Sequence, residues 1–428
     1  MTPAEPVTGL ILSGGGARAA YQVGVLAAIA ELLPDGARNP FPVIVGTSAG
    51  AINAVSLASG ATDFKTAIER LTAFWQAVRS HQVMRSDWRG VLAQATRFIS
   101  HSLLGLGAKL PVALIDSSPL RELLQAQFHA TGIEQAIAEH QLRAVAVTAF
   151  GYESGQAVTF YQGRGTIDAW LRHRRIGVPA QLSVEHLLAS SAIPLLFAPV
   201  KIGPQYFGDG AVRQSAPISP ALHLGANRVL VIGVSGNPRG AGGQTPQERS
   251  YTGLQPTLAQ IGGHMLNSTF IDSLESDIEL LERLNQFSHL LPDDVPAHAL
   301  GAAAVEVLVI SPSQPIDEIA ARHRQELPRA LRVFLRGPGA TKTSGAGVLS
   351  YLLFEAGYCG ELIELGRQDA LAQREALSRF LGLAPTKAAW WLLNPSESDQ
   401  KWYFSKKLVL LWLVLNPSLS SIAYLFFQ

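Results

Sequence analysis

The sequence predicts an α/β protein with a mostly parallel central sheet and helices on both faces. Thr8–Leu12 is a short apolar run that ends in a glycine-rich turn and is followed by a helical pattern over 19–33. Pro42–Val45 begins a second copy of the same order, with another glycine-rich turn and a helical pattern over Ala51–Ser59. Two strand–turn–helix units in succession are typical of a βαβα opening, which favours a parallel sheet.

The rest of the chain continues this alternation of apolar strands and helical patterns. Further strands are predicted at Arg143–Thr148, Ala157–Tyr161, Gln205–Phe207, Arg228–Val234 and Val305–Ile310. Further helices are predicted at Leu120–Glu139, Val184–Ser190 and Met265–Leu284, the last of which is amphipathic. The core of such a chain is large, since 47% of its 428 residues are hydrophobic.

Composition excludes several classes of function. The 34 basic and 33 acidic residues give a formal net charge of +1, which argues against a dedicated nucleic-acid binder. Cys359 is the single cysteine, so no intrachain disulfide is possible, and no cysteine–histidine cluster has the spacing of a metal site. The N-terminus lacks the basic and apolar regions of a signal peptide. We therefore expect a cytoplasmic protein without a metal.

The second glycine-rich turn carries a candidate nucleophile. Gly46-Thr47-Ser48-Ala49-Gly50 matches the pattern G-x-S-x-G, in which a serine stands on a sharp turn between a strand and a helix. The flanking residues Gly46 and Gly50 allow strand and helix to approach each other closely. The pattern alone is common, but its position after Val43-Ile44-Val45 favours a nucleophile elbow with Ser48 at its tip.

The first glycine-rich turn, Ser13-Gly14-Gly15-Gly16-Ala17-Arg18, admits two interpretations. Consecutive glycines expose backbone N–H groups that can converge on an anion, so one is a phosphate or dinucleotide loop. No Gly-Lys-Ser/Thr follows, and Ala19 stands where a dinucleotide fingerprint has its third glycine. The other is an oxyanion hole formed by Gly14, Gly15 and Gly16, which the nearby elbow favours. Arg18 is expected to orient this loop or to hold a phosphate head group.

The partner of Ser48 is less evident from the residues alone. None of the 11 histidines lies in an obvious catalytic turn: His186 and His264 fall on predicted helices, and His173 falls in a basic cluster. Asp209 differs, because it follows a short strand and stands between two glycines, where a carboxylate can reach a neighbouring strand end. An Asp-Gly pair is nevertheless more often a simple turn.

Together these motifs resemble the patatin-like phospholipase family. The resemblance rests on Gly14–Arg18, Gly46–Gly50 and Asp209-Gly210-Ala211, in that order, and covers about residues 8 to 235. Ser190-Ser191-Ala192-Ile193-Pro194 and Asp116-Ser117-Ser118-Pro119-Leu120 are also similar to the family's pattern. The departure is Ala19, where the family usually has glycine. This added methyl group removes no hydrogen-bond donor.

The resemblance implies a three-layer patatin-like fold and a Ser-Asp dyad. Ser48 would be the nucleophile, Asp209 its general base, and Gly14–Gly16 the oxyanion hole, with no cofactor. The implied activity is cleavage of carboxylic esters of phospholipids or other glycerolipids. The alternatives are a catalytically weak lipid-binding or scaffolding protein, against which the intact Ser48 and Asp209 argue, and a nucleotide-binding protein, against which the missing lysine argues.

We expect three regions along the chain. A patatin-like catalytic domain covers 8–235, a mainly helical accessory region covers 236–393, and an apolar tail covers 394–428. The tail has no charged residue from Leu408 onward, but Asn416, Pro417 and several serines interrupt it, so it is either membrane-associating or disordered. Peripheral membrane contact is expected from this tail or from the aromatic and basic stretch between Phe74 and Arg89.

Overall fold

The computed structural model describes residues 6–90, 93, 96, 113–165, 167–235, 255, 257–269, 273–288, 305–336 and 346–383. Within these ranges, ten strands form one mixed sheet in the order β10-β9-β1-β2-β3-β4-β6-β5, while β8 pairs with β3 and β7 pairs with β8. The strands are β1 (Thr8–Leu12), β2 (Val43–Thr47), β3 (Ala144–Gly151), β4 (Gln156–Gly163), β5 (Trp170–Arg172), β6 (Arg175–Pro179), β7 (Val200–Ile202), β8 (Gln205–Asp209), β9 (Arg228–Ile232) and β10 (Glu306–Ile310).

Helices surround this sheet. They are α1 (Ala20–Leu32), α2 (Ala49–Ser59), α3 (Phe64–Ala77), α4 (Ser80–Val83), α5 (Ser118–Gln127), α6 (Ala130–Ala138), α7 (Val184–Ser190), α8 (Ser219–His223), α9 (Leu258–Asn267), α10 (Ser273–Ser288), α11 (Ile316–His323), α12 (Arg329–Arg336), α13 (Ala346–Leu352), α14 (Ala356–Ala372) and α15 (Arg374–Phe380). Short 3-10 helices occupy Gly16–Ala19 and Gly210–Arg213.

The centre of the sheet is parallel, as predicted. Strands β10, β9, β1, β2 and β3 run in the same direction, and β4 and β8 both pair with β3 in the antiparallel sense. All five residues of β1 and of β2 are buried. Burial on both faces explains why these strands are continuous apolar runs instead of alternating polar and apolar residues. The predicted α/β class and mostly parallel core are therefore confirmed.

Helices cover both faces of the parallel strands. On one face, Ile11 and Val45 belong to a buried cluster that includes Ala221 of α8 and Ile278 of α10. Side chains alternate along a strand, so neighbouring residues such as Ile44 point to the other face, where α2 packs against β2 and β3. Helices therefore cover both faces of these strands, so functional groups are available at the ends of the strands.

The strand register brings three chain segments together at one edge. Leu12, the last residue of β1, pairs with Gly46, and Thr47, the last residue of β2, pairs with Thr148. On the far side of β3, Ala149 pairs with Asp209. The residues that follow β1, β2 and β8 therefore converge at the carboxyl ends of the parallel strands.

Helix α14 packs closely against α1. A Cβ atom on Gly24 of α1 would lie 1.8 Å from the carbonyl oxygen of Ile363, and one on Gly366 of α14 would lie 2.1 Å from that of Tyr21. Two glycines facing each other's helix let the backbones touch. The residues beyond 300 are thereby joined to the first helix of the chain.

Two predicted helices are wrong in extent. The helix predicted over Leu120–Glu139 is two helices, α5 and α6, because Phe128 adopts an extended conformation. Leu124 of α5 and Ile133 of α6 are both buried, yet nine residues separate them, about two and a half turns of a continuous helix. One unbroken helix would point them in opposite directions. The helix predicted over Met265–Leu284 falls on α9, which begins before it, and on α10, which ends after it, and residues 270–272 lie outside the described residues.

The region predicted as a mainly helical accessory segment contributes a strand to the main sheet. Strand β10 pairs with β9 over its whole length. Contacts group the described residues up to Leu377 in one unit and those from Ser378 onward in a second. In the second unit, the described residues end in a turn in which the N–H of Leu383 donates to the carbonyl oxygen of Ser378 at 2.7 Å.

Two segments were predicted to contact a membrane, and the structure describes one of them. The tail over 394–428 lies outside the described residues. In the stretch from Phe74 to Arg89, Trp75 and Met84 are buried in the protein, while Trp88 is 58% exposed. The buried residues of this stretch therefore belong to the core of the protein, and Trp88 is its exposed aromatic residue. None of the described helices combines the length and the apolar character needed to span a bilayer.

The helix contact at Gly24 yields a stability prediction. Gly24→Ala should lower the free energy of unfolding by about 1–3 kcal/mol, because the new methyl group forces α1 and α14 apart. Gly360→Ala in α14 is the matched control, since a Cβ there meets nothing within 4 Å. It should stabilise the protein slightly through helix propensity. Urea unfolding followed by circular dichroism checks both, and equal effects of the two variants would contradict the close contact.

Candidate active site

Ser48 lies at the turn between β2 and α2 in a strained backbone conformation. Its φ and ψ are 56° and −131°, a combination that residues with a side chain rarely adopt. Such strain costs on the order of 1–3 kcal/mol and persists only where the surroundings enforce it. The turn points the serine away from the sheet edge and places it at the N-terminus of α2, whose dipole favours negative charge nearby.

The glycines on either side of Ser48 make this turn possible. A Cβ atom on Gly46 would lie 2.4 Å from the carbonyl oxygen of Gly50. One on Gly50 would lie 2.3 Å from the carbonyl oxygen of Leu12, the last residue of β1. Any side chain at either position would push α2 away from the strands. The predicted roles of Gly46 and Gly50 in the turn thus have a direct steric basis.

Ser190, the last residue of α7, holds the turn from the other side. Its hydroxyl accepts a hydrogen bond from the backbone N–H of Ser48 at 2.8 Å and donates one to the carbonyl oxygen of Thr148 at 2.7 Å. Ser190 is completely buried. It therefore connects the strained turn to β3. The family resemblance includes the stretch Ser190–Pro194, but no local pattern predicts this role for Ser190.

Asp209, the last residue of β8, is completely buried beside the turn. Its Oδ1 accepts a hydrogen bond from the backbone N–H of Ala211 at 3.0 Å. Burial removes water from the charged carboxylate and raises the pKa of Asp209 from 3.8 to about 7, although hydrogen bonds from Ser48 and Ala211 act in the opposite direction. A Cβ on Gly210 would lie 2.1 Å from the carbonyl oxygen of Thr148, so glycine is needed immediately after this aspartate.

The structure brings Ser48 and Asp209 together. The Ser48 side chain is close enough to the carboxyl group to lower the pKa of Asp209 by hydrogen bonding. Oδ2 of Asp209 has no partner with ordinary hydrogen-bond geometry among the described residues. Hydrogen bonds between catalytic groups are often long in the absence of substrate. A carboxyl group that ionises near neutral pH beside a serine hydroxyl has the properties of a general base.

The glycine loop, residues 13–16, follows β1 and adjoins the serine turn. Gly16 has a φ of +56°, and a Cβ there would lie 2.2 Å from the carbonyl oxygen of Tyr351. A Cβ on Gly15 would lie 2.5 Å from a methyl group of Val234. Within the described residues, the backbone N–H groups of Gly14 and Gly15 donate to no protein acceptor. They are the kind of donors that an oxyanion hole requires.

A buried polar network fixes the glycine loop to α2. Gln22 donates from Nε2 to the carbonyl oxygen of Ser13 at 2.8 Å. Asn53 of α2 donates from Nδ2 to Oε1 of Gln22 at 2.9 Å and to the carbonyl oxygen of Ala19 at 3.0 Å. The indole of Trp75 then donates to Oδ1 of Asn53 at 2.7 Å. Sequence reasoning missed these residues, since no motif marks them.

Arg18 is not available to a phosphate head group. Its side chain is 2% exposed, and its guanidinium donates to Oδ1 of Asp317 at 2.6 Å and to the hydroxyl of Ser350 at 2.8 Å. Burial and the partners of Nε and Nη2 argue against the expected contact between Arg18 and a head group. The geometry favours the other role expected of Arg18, which is orientation of the glycine loop.

The histidines considered as bases lie elsewhere. His186 accepts from the backbone N–H of Ser183 through Nδ1 at 3.1 Å and packs edge-on against Phe160, so it caps α7. Burial lowers its pKa. Within the described ranges, no histidine forms a hydrogen bond with Ser48 or Asp209. The same ranges contain no group of three or more histidine, cysteine or acidic side chains arranged to hold a metal ion.

A serine on a strained strand-to-helix turn, a buried aspartate beside it and a glycine loop with free N–H groups among the described residues thus meet at one edge of the sheet. Residues 10–222 match the family model described as patatin-like phospholipase. The chain belongs to this family.

One curated relative and two solved structures give the extent of the similarity. A cGAMP-activated phospholipase of Escherichia coli (strain TW11681) is 29% identical over 219 residues, which are 49% of this chain and 52% of the relative. The match thus spans about half the length of that relative. Human GIVD cytosolic phospholipase A2 in complex with methyl gamma-linolenyl fluorophosphonate is 14% identical, with a TM-score of 0.42, over 88% of this chain and 58% of that one.

VipD from Legionella pneumophila is 13% identical, with a TM-score of 0.29, over 84% of this chain and 67% of that one.

The contacts of Ser190 yield a prediction with a built-in control. Ser190→Ala should lower the free energy of unfolding by about 1–3 kcal/mol, because the buried N–H of Ser48 and the carbonyl oxygen of Thr148 lose their partner. The hydroxyl of the neighbouring Ser191 is buried without a hydrogen-bond partner among the described residues. Ser191→Ala should therefore cost little or nothing. Chemical denaturation of both variants checks this, and a larger loss for Ser191→Ala would refute the assignment.

Proposed function

We propose that this protein is a lipid acyl hydrolase of the phospholipase A or lysophospholipase type. The observation that carries the proposal is the completely buried Asp209 beside Ser48, at the point where three strand ends converge. A carboxyl group without water or a counterion is costly to maintain. Its placement there is explained if it exchanges a proton with the adjacent hydroxyl.

The first half of the reaction forms an acyl-enzyme. Asp209 accepts the hydroxyl proton of Ser48 while the serine oxygen attacks the ester carbonyl. The carbonyl oxygen becomes negatively charged, and the N–H groups of Gly14–Gly16, together with the N-terminus of α2, stabilise that charge. The tetrahedral intermediate then expels the alcohol, which takes the proton from Asp209. The alcohol is a lysophospholipid or another glycerol derivative.

The second half releases the fatty acid. Asp209 takes a proton from water, and the resulting hydroxide equivalent attacks the acyl carbonyl of Ser48. Collapse of this second tetrahedral intermediate frees the carboxylic acid and returns the proton from Asp209 to Ser48. The pKa of Asp209, about 7, suits both directions of transfer, since efficient acid–base catalysis needs a pKa near the working pH. The reaction requires no cofactor or metal.

The family description supports a substrate class, and an exposed side chain on the surface supports a membrane contact. Family members are phospholipases by description, and the curated relative is named a phospholipase, which supports a glycerolipid substrate. Such substrates lie in membranes, so we propose that the protein contacts membranes peripherally, and we propose a cytoplasmic location. The exposed Trp88 is one candidate contact, because indole rings favour the interface between water and lipid. No nucleic-acid partner is proposed.

A second candidate function is a catalytically weak lipid-binding or scaffolding protein that retains this fold. The observation that favours it is that Oδ2 of Asp209 has no hydrogen-bond partner among the described residues. Against it stands the strained turn at Ser48, because a protein without catalysis gains nothing from a conformation that costs stability.

A covalent probe separates the two. An alkyl fluorophosphonate should label the wild-type protein and should not label Ser48→Ala. Asp209→Asn has nearly the same shape but no base, so its labelling rate should fall about 10²- to 10⁴-fold. Intact-mass spectrometry measures the extent and rate of labelling.

The same proteins are then incubated with a mixed lipid extract, and the products are analysed by mass spectrometry. Wild type should release free fatty acids and lyso-lipids, and both variants should release none above background. Labelling of Ser48→Ala at the wild-type rate would exclude Ser48 as nucleophile. Absence of both labelling and products in wild type would favour the weak lipid-binding function.

A further inference from the structure

We infer that Asp317 and Ser350 are positioning residues that hold Arg18, and through it the glycine loop, in the geometry needed for catalysis. This inference rests on the proposed function, since it assigns the loop to oxyanion binding. Both residues lie outside the residues matched by the family model, which ends at position 222. The active site would therefore depend on the part of the chain beyond the family domain.

The guanidinium of Arg18 is held at two of its nitrogens. Nη2 donates to Oδ1 of Asp317 in α11 at 2.6 Å, and Nε donates to the hydroxyl of Ser350 in α13 at 2.8 Å. Ser350 in turn donates to the carbonyl oxygen of Gly347 at 2.6 Å and lies 3.2 Å from Oδ1 of Asp317. Arginine has a planar fork of donors, so two such partners fix both its position and its orientation.

The backbone of the glycine loop touches the same helix. Gly16 packs directly against the carbonyl group of Tyr351, and the guanidinium of Arg18 lies 4.1 Å from the centre of the Tyr351 ring. Tyr351 is itself completely buried. The backbone of α13 therefore contacts Gly16. Side chains of the same helix hold Arg18, which follows Gly16 by two residues in the sequence. The 3-10 helix Gly16–Ala19 connects these two points.

Because Arg18 is buried, the loss of one of its acceptors should displace it. A guanidinium that is 2% exposed has lost its water, so removal of an acceptor leaves a charge that must move to find a new partner. Asp317 is 41% exposed and can be replaced without opening the core. When Arg18 moves, the 3-10 helix and the adjoining glycines move with it. Displacement of oxyanion donors weakens binding of the transition state more than binding of the substrate.

The test measures hydrolysis of a soluble aryl ester by full-length Asp317→Ala and Asp317→Asn. We expect kcat of Asp317→Ala to fall about ten- to a hundredfold with KM changed less than twofold. Asparagine retains an oxygen that can accept from Arg18, so Asp317→Asn should lie between Asp317→Ala and wild type. Affinity for an alkyl trifluoromethyl ketone, which forms an oxyanion on the serine, should fall in parallel with kcat.

Glu31→Gln is the matched control. Glu31 pairs with Arg367 at 2.7 Å and likewise ties α1 to α14 in the later part of the chain, but it touches neither Arg18 nor the glycine loop. Exposed pairs of this kind contribute little to stability. Its kcat, KM and ketone affinity should equal those of wild type. The control shows that loss of an ion pair between the two parts of the chain is not sufficient to lower kcat.

A double-mutant cycle establishes that Asp317 acts through Arg18. In an Arg18→Met background, Asp317→Ala should have no further effect on kcat, because there is no charge left to hold. If Asp317→Ala fails to fold, Ser350→Ala removes the other acceptor and should show the same change in kcat at constant KM. A kcat within twofold of wild type for the folded variants, or full additivity with Arg18→Met, would overturn the inference.

Ser48→Ala distinguishes a failure of this inference from a failure of the proposed function. If Ser48→Ala is inactive while the Asp317 and Ser350 variants match wild type, the hydrolase function stands and the positioning role is wrong. If Ser48→Ala retains activity, the proposed function itself is wrong, and the inference about the loop falls with it.

Discussion

The strained turn at Ser48 is the constraint on which the site depends. A serine at φ 56° must be held from every side, and each neighbour has a residue suited to that task. Gly46 and Gly50 bring β2, α2 and the end of β1 into contact, and Ser190 accepts a hydrogen bond from the buried N–H of Ser48. The strain is thus supported by packing of the whole sheet edge.

Burial also determines the chemistry of Asp209. The packing that closes the sheet around β3 and β8 removes water from the carboxyl group, and desolvation raises its pKa to about 7. An aspartate in water, with a pKa near 4, would be a weak base toward a serine hydroxyl. The raised value brings the carboxylate into the range that histidine covers in other serine hydrolases. A single buried acid can therefore perform the task, which fits the absence of any histidine bonded to Ser48 or Asp209 among the described residues.

Local patterns predicted much of this arrangement, and contacts distant in sequence account for the rest. Glycine spacing and apolar runs were sufficient for β1, β2 and the turn at Ser48, because those elements are determined by neighbouring residues. The family resemblance added Asp209. The break between α5 and α6 required knowledge of which side chains are buried. Ser190 and the partners of Arg18 carry no local signal, since a serine or aspartate on a helix is usually solvated and only the folded chain shows what each one meets.

The central claim, that Asp209 is the base and ionises near neutral pH, is tested most directly by the pH dependence of kcat/KM, which reports the ionisation of the free enzyme. Only ionised Asp209 can accept a proton, so kcat/KM should be constant at alkaline pH and should fall tenfold per unit as the pH drops below about 7. His186→Asn should retain this profile, which excludes His186 as its origin. A kcat/KM that stays constant down to about pH 5, as expected for a carboxyl group with an ordinary pKa, would contradict the account.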